Sequence, residues 1–189
     1  MLAYVFWHWK KAAVTVDDYE KRQRAFHAAL AAEPPAGFRG SFSVALSRAP
    51  WAAGGGDAYG DWYFVDDFAT LGTLNEAAIT GSRHDPHQAA AAAAEGGTAG
   101  VYGLRLGAAL LPPRHAVWLS KPQGMRYAEM LVELKPLVEK SRGALWMRQM
   151  TLGPAREFSL HMATAVEVPR VFCPLVVPVR RVWPEAARS

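Results

Sequence analysis

The sequence predicts an α+β protein made of two βαββαβ units in tandem, with their antiparallel sheets paired into a barrel-like core. Two observations predict it. Short β-branched and aromatic runs alternate with amphipathic helical stretches, and the second half of the chain replays the element order of the first. Residues 1–107 form the first unit, 108–113 a linker, and 114–189 a second unit whose own second helix is reduced to a short piece.

The first strand is Tyr4-Val5-Phe6-Trp7-His8-Trp9, rich in β-formers. Asp17 as N-cap with Glu20 three residues on is the signature of a helix start, and Tyr19, Phe26 and Leu30 form one stripe before Pro34-Pro35 ends the helix. A second strand runs around Phe42–Leu46. The stretch Ala49 to Gly60, with Gly54-Gly55-Gly56-Asp57, reads as a long loop, and Trp62–Val65 is the third strand. Asp66 or Asp67 caps a helix through Phe68, Leu71, Leu74 and Ile79. Asp85 and Pro86 open a further helix, Gly96-Gly97 stops it, and Val101–Leu104 closes the unit.

In the second unit Ala116–Leu119 is the opening strand. A helix from Met125 to about Lys135 places Tyr127, Met130, Leu131 and Leu134 on one face, and Pro136 should end or kink it. Leu145–Thr151 and Glu157–Ala163 are strands joined by a Leu152-Gly153-Pro154 turn. A short helical piece follows near Val166–Phe172. Leu175–Val182 is the last strand, which Pro174 and Pro178 confine to a sheet edge.

The bulk composition is that of a globular protein, and no apolar stretch is long enough to span a membrane. Without a basic, apolar leader the expectation is a cytoplasmic protein. Cys173 stands alone in an apolar stretch, which excludes an internal disulfide and reads as a buried thiol. Residues 1–107 carry nine Lys or Arg against eleven Asp or Glu, and residues 108–189 twelve against six. The basic second half could attract anions, but its arginines are dispersed without interleaved aromatics, so no nucleic-acid partner is expected.

The β-α-β-β-α-β order is the ferredoxin-like unit. With that order present twice, and with the junction Asp61-Trp62-Tyr63-Phe64-Val65-Asp66-Asp67-Phe68, the chain resembles a fused member of the dimeric α/β-barrel superfamily. That superfamily includes cofactor-free monooxygenases, isomerases, dehalogenases and haem-binding members. The resemblance implies a barrel fold and leaves the reaction open.

Candidate chemistry follows from strand alternation. Phe158, Leu160 and Met162 should meet helices, which aims Ser159 and His161 at the space between the sheets. His8 and His161 could share that space with Arg148 or Gln149 and with Tyr63. In an enzyme, His8 or His161 would be the base of a cofactor-independent proton transfer or oxygenation, and Arg148 would orient an anionic group. Tyr63, Gln149 and Ser159 would contact a small apolar or anionic ligand. The alternatives are a non-catalytic assembly protein with a packed interior, or a haem protein using one histidine. No cofactor is expected otherwise. His84-Asp85-Pro86-His87 lacks the further ligands of a metal site and reads as a helix start. Trp7, Trp62, Trp118 and Trp146 should be core. Trp51 and Trp183 should be exposed, where they could serve a homodimer contact.

Overall fold

A computed structural model describes residues 1–52, 57–109, 112–150, 153 and 155–185. The glycine run 54–56, part of the 108–113 segment and part of the 152–154 turn lie outside the described residues. The strands are β1 (Leu2–Lys10), β2 (Phe38–Leu46), β3 (Ala58–Val65), β4 (Ala94–Gly107), β5 (His115–Leu119), β6 (Ala144–Gln149), β7 (Phe158–Met162), β8 (Leu175–Val176) and β9 (Val179–Trp183). The helices are α1 (Val16–Ala32), α2 (Phe68–Ala78), α3 (His84–Ala93) and α4 (Tyr127–Ser141).

All nine strands join one antiparallel sheet in the order β8-β5-β7-β6-β4-β1-β3-β2-β9. Among the described residues the strands form this one sheet, and not the two facing sheets that the sequence led us to expect. The first half contributes β4-β1-β3-β2 and the second β8-β5-β7-β6, and the halves meet where β4 pairs with β6. The two ends of the sheet belong to one stretch of chain. The sequence reads a single edge strand over Leu175–Val182, but Pro178, with no N–H to donate, breaks it into β8 on β5 and β9 on β2. Three Cα steps separate Val176 from Val179, so the sheet must curl until its edges lie within roughly 11 Å. Arg180 of β9 bonds to Glu20 of α1 and ties down that edge.

Alternation then decides what each face carries. Val5, Trp7, Phe42, Val44, Trp62, Phe64, Trp118 and Trp146 point to the concave side and fill it. The four strand tryptophans are at most 2 % exposed, as the sequence indicates. Trp51 departs from expectation. It is buried, with its ring 4.7 Å from Trp118 and 5.9 Å from Trp7, because the chain after β2 folds back over the aromatic interior. Trp183 is half-buried and stacks on His27. On the convex side α4 covers the second half through Met130, Leu134 and Val138, and α1, α2 and α3 cover the first.

Local departures have local causes. Thr15, not Asp17, caps α1: its backbone is extended and its hydroxyl accepts the Asp18 N–H, while Asp17 and Asp18 sit in the first turn where the helix dipole favours them. Asp67 caps α2. Asp85 lies inside α3, whose N-cap position is Arg83. Gly96 and Gly97 do not end a helix but lie within β4. A Cβ on Gly97 would come within 2.5 Å of the Phe6 ring and 2.7 Å of the Trp7 carbonyl oxygen, so only glycine lets those groups cross the strand. α4 runs through Pro136, with Val132, the residue whose carbonyl loses its donor, largely exposed. Between β7 and β8 only a 3-10 turn, Arg170–Phe172, remains, and Cys173 after it adopts a positive φ of 46° and is exposed, not buried. Among the described residues no helix is long and apolar enough to cross a membrane.

Candidate functional site

Between the convex face of the first half and helices α1–α3 lies a cleft of about 880 Å³, within the range of small-molecule sites. Its walls are largely apolar, with Phe6, Phe26, Phe68, Leu71 and Ile79 among them. α2 covers it thinly. Of its eleven residues only Leu74 is buried, and Phe68 at its start and Ile79 just past its end are nearly half exposed.

The floor of this cleft is polar, and three elements build it. β1 presents His8 on the face opposite Trp7. β3 presents Asp61 and Tyr63 on the face opposite Trp62. The β1–β3 register pairs Phe6 with Asp61 and His8 with Tyr59, which sets His8 diagonal to Asp61. α1 lays Tyr19, Gln23 and His27 across the same strands, four residues apart and so on one helical stripe. All of these side chains are nearly or fully buried.

The contacts form a chain. The Tyr19 hydroxyl lies 2.5 Å from His8 Nδ1. His8 Nε2 lies 3.1 Å from Asp61 Oδ2, to which Tyr63 donates at 3.0 Å. On the far side His27 Nε2 is 3.4 Å from Asp61 Oδ1, and its Nδ1 is 2.7 Å from the Ser41 hydroxyl. The approach of each Nε2 to Asp61 is off the line of an ideal hydrogen bond, which leaves both Nε2 atoms and Asp61 Oδ1 without an aligned partner. A carboxylate can only accept, so the nitrogens facing it carry the protons. In the neutral form of each imidazole, Nδ1 then accepts from Tyr19 or Ser41.

Burial works against charge on Asp61, but His8 and His27 outweigh it and hold the carboxyl well below its usual range. Burial, and then the Asp61 charge, push the Tyr19 and Tyr63 phenols up, so both stay protonated donors. Among the described residues no set of three His, Cys, Asp or Glu side chains is arranged to hold a metal ion. The His84 imidazole lies 2.9 Å from its exposed neighbour Asp85.

The fold is shared with two solved proteins, each named a "putative monooxygenase". One, from Fusobacterium nucleatum subsp. nucleatum ATCC 25586, has a TM-score of 0.61 and 12% identity over 85% of this chain and 74% of that one. The other, from Lactobacillus acidophilus NCFM, has a TM-score of 0.55 and 12% identity over 96% of this chain and 94% of that one. At such identity the likeness is one of fold. The chain matches no protein-family model and no curated protein.

The residues singled out in the sequence are divided between the two faces. His8 and Tyr63 lie together on the cleft floor. His161 and Ser159 point to the concave side, as alternation indicates, and among the described residues both are buried there by aromatic neighbours. The His161 ring sits 4.4 Å from Trp62 and 5.8 Å from Phe42. Arg148 donates to the carbonyls of Gly153 and Ala155, and Gln149 to those of Met147 and Arg148, so neither joins His8. Sequence reasoning missed Asp61, Tyr19 and His27. The available signals were a lone acid inside an apolar strand and a helix stripe of Tyr, Gln and His at four-residue spacing.

Burial pushes the His161 imidazole down to about 3. Its folded value lies below its unfolded value near 6.5, so its contribution is intact above that pH and is lost as pH falls towards 3. Relative to His161→Phe, the wild type should lose about 1.4 kcal/mol of stability per pH unit across that window. Urea unfolding of both proteins from pH 7 down to pH 4 checks this, and parallel curves would contradict it.

Proposed function

We propose that the cleft is the site of a cofactor-independent reaction in which a small, mostly apolar molecule gives up a proton and then reacts with dioxygen. The observation that carries this reading is the Tyr19–His8–Asp61 chain on the floor of an apolar cleft. A ground-state proton leaves an acidic ring carbon for the Tyr19 oxygen as the Tyr19 proton passes to His8 Nδ1. The imidazolium formed is stabilised by the Asp61 carboxylate. The substrate carbanion adds dioxygen, takes back a proton to become a hydroperoxide, and loses water to leave a carbonyl. A methylene and dioxygen thus give a ketone and water, and the substrate itself supplies the electrons. The names of the two structural neighbours agree with an oxygenation.

We also read the strand orders β4-β1-β3-β2 and β8-β5-β7-β6 as two ferredoxin-like units in tandem, of which the first holds the site. In the second unit the corresponding convex face is closed by Leu160, Phe158 and α4.

Oxygen consumption with anthrone and indandione, ring compounds with an acidic methylene, tests the reaction. Exchange of the methylene protons with deuterium tests the proton-transfer step alone. Both should proceed faster with the wild-type protein than without it, and Tyr19→Phe should slow both by about a hundredfold. Wild-type rates equal to the protein-free rates in both assays would sink the proposal.

A further inference from the structure

We propose that the cleft accepts uncharged ring compounds and rejects anions of the same shape, and that Asp61 is the residue that enforces this choice. The inference rests on reading the cleft as the ligand site and names the class of molecule that enters it. The chain carries 21 Lys and Arg and is basic overall. Yet none of the described ones lines the cleft, whose carboxylates are Asp61 and Glu95 and whose imidazoles are His8 and His87. Two cationic side chains on elements around it are committed elsewhere. Arg22 bonds to Asp18 and the Ala89 carbonyl, and Arg180 bonds to Glu20.

Asp61 sits at the floor, 2 % exposed, where little water screens it, and the His8 and His27 imidazoles beside it offset its charge only when they are protonated. An anionic group placed about 5 Å from such a carboxylate, at the effective dielectric typical of protein interiors, loses on the order of a hundredfold in affinity. A neutral hydroxyl has no such penalty and meets the polar atoms of Tyr19, Gln23 and Tyr63 there. Phe6, Phe26 and Phe68 offer ring faces to the rest of the molecule. Arg148, which residue type alone suggests as the holder of an anionic group, belongs to the other face of the sheet and cannot serve.

The test compares 2-naphthol with 2-naphthoate by calorimetric titration at about pH 8, where the first is neutral and the second is an anion. The wild type is expected to bind 2-naphthol at least a hundredfold more tightly. Asn75→Arg places a cation on the cleft side of α2 at an exposed position and should improve 2-naphthoate binding about tenfold. Ala78→Trp, which fills the cleft from α2, should abolish 2-naphthol binding. Equal affinities, or no binding of 2-naphthol, overturn the inference. If affinities are equal but Ala78→Trp still blocks binding, the cleft remains the site and only its charge selection falls. If Ala78→Trp leaves 2-naphthol binding unchanged, the cleft itself is not the site.

Discussion

Replacing His8 by glutamine is expected to slow oxygen consumption and proton exchange by about a hundred- to ten-thousandfold. Glutamine fills a similar volume and can still reach the Tyr19 hydroxyl and Asp61, but it cannot hold a proton at neutral pH. The chain from Tyr19 to Asp61 would then keep its shape and lose its acceptor. Binding of 2-naphthol should therefore survive, which separates a chemical loss from a collapsed site. Steady-state rates and calorimetric titration on the same preparation supply both readouts. A rate within tenfold of wild type would remove His8 from the mechanism.

Asp61→Asn is expected to be the most damaging polar substitution for stability. Asp61 is almost wholly buried with two imidazoles and the Tyr63 hydroxyl around it. Asparagine must turn an amide N–H₂ towards at least one of these donors, and breaking such a buried network costs about 3–5 kcal/mol. The pH dependence follows from the direction of its shift. The folded carboxyl lies below its unfolded value of 3.8, so its contribution is complete above that pH and is lost as pH falls through the folded value. The gap between wild type and Asp61→Asn should be widest at neutral pH. Below about pH 4 it should narrow by about 1.4 kcal/mol for each further unit. Urea unfolding of both proteins at pH 7 and pH 3 measures it, and a gap that widens in acid would contradict the assignment.

The sequence carried local information well and long-range information poorly. Alternation in β1 and β7 separated His8 from Trp7 and His161 from Leu160, and residue chemistry located α2 and narrowed its cap to Asp66 or Asp67. Alternation counts faces but not volumes. It could aim Ser159 and His161 at the concave side without revealing that Trp51 folds in from a loop to help fill it. The site depends on two facts with no local signature, the diagonal register of β1 on β3 and the seating of α1 across them. His8 and Tyr63 stood out by residue type and strand position, whereas Asp61, Tyr19 and His27 acquire meaning only once they are brought together. The final strand is a similar case. Pro178 signalled an edge, but only the curl of the sheet makes one segment serve both edges.

Everything proposed for ligand chemistry depends on the helix-covered cleft, and not the aromatic interior, being the place where a small molecule binds. A crystal structure of the protein grown with 2-naphthol distinguishes the two. The naphthol ring should lie between Phe6, Phe26 and Phe68, with its hydroxyl within hydrogen-bonding distance of Tyr19 or Tyr63. A naphthol lodged on the concave side among Trp7, Trp62 and His161 would contradict the assignment.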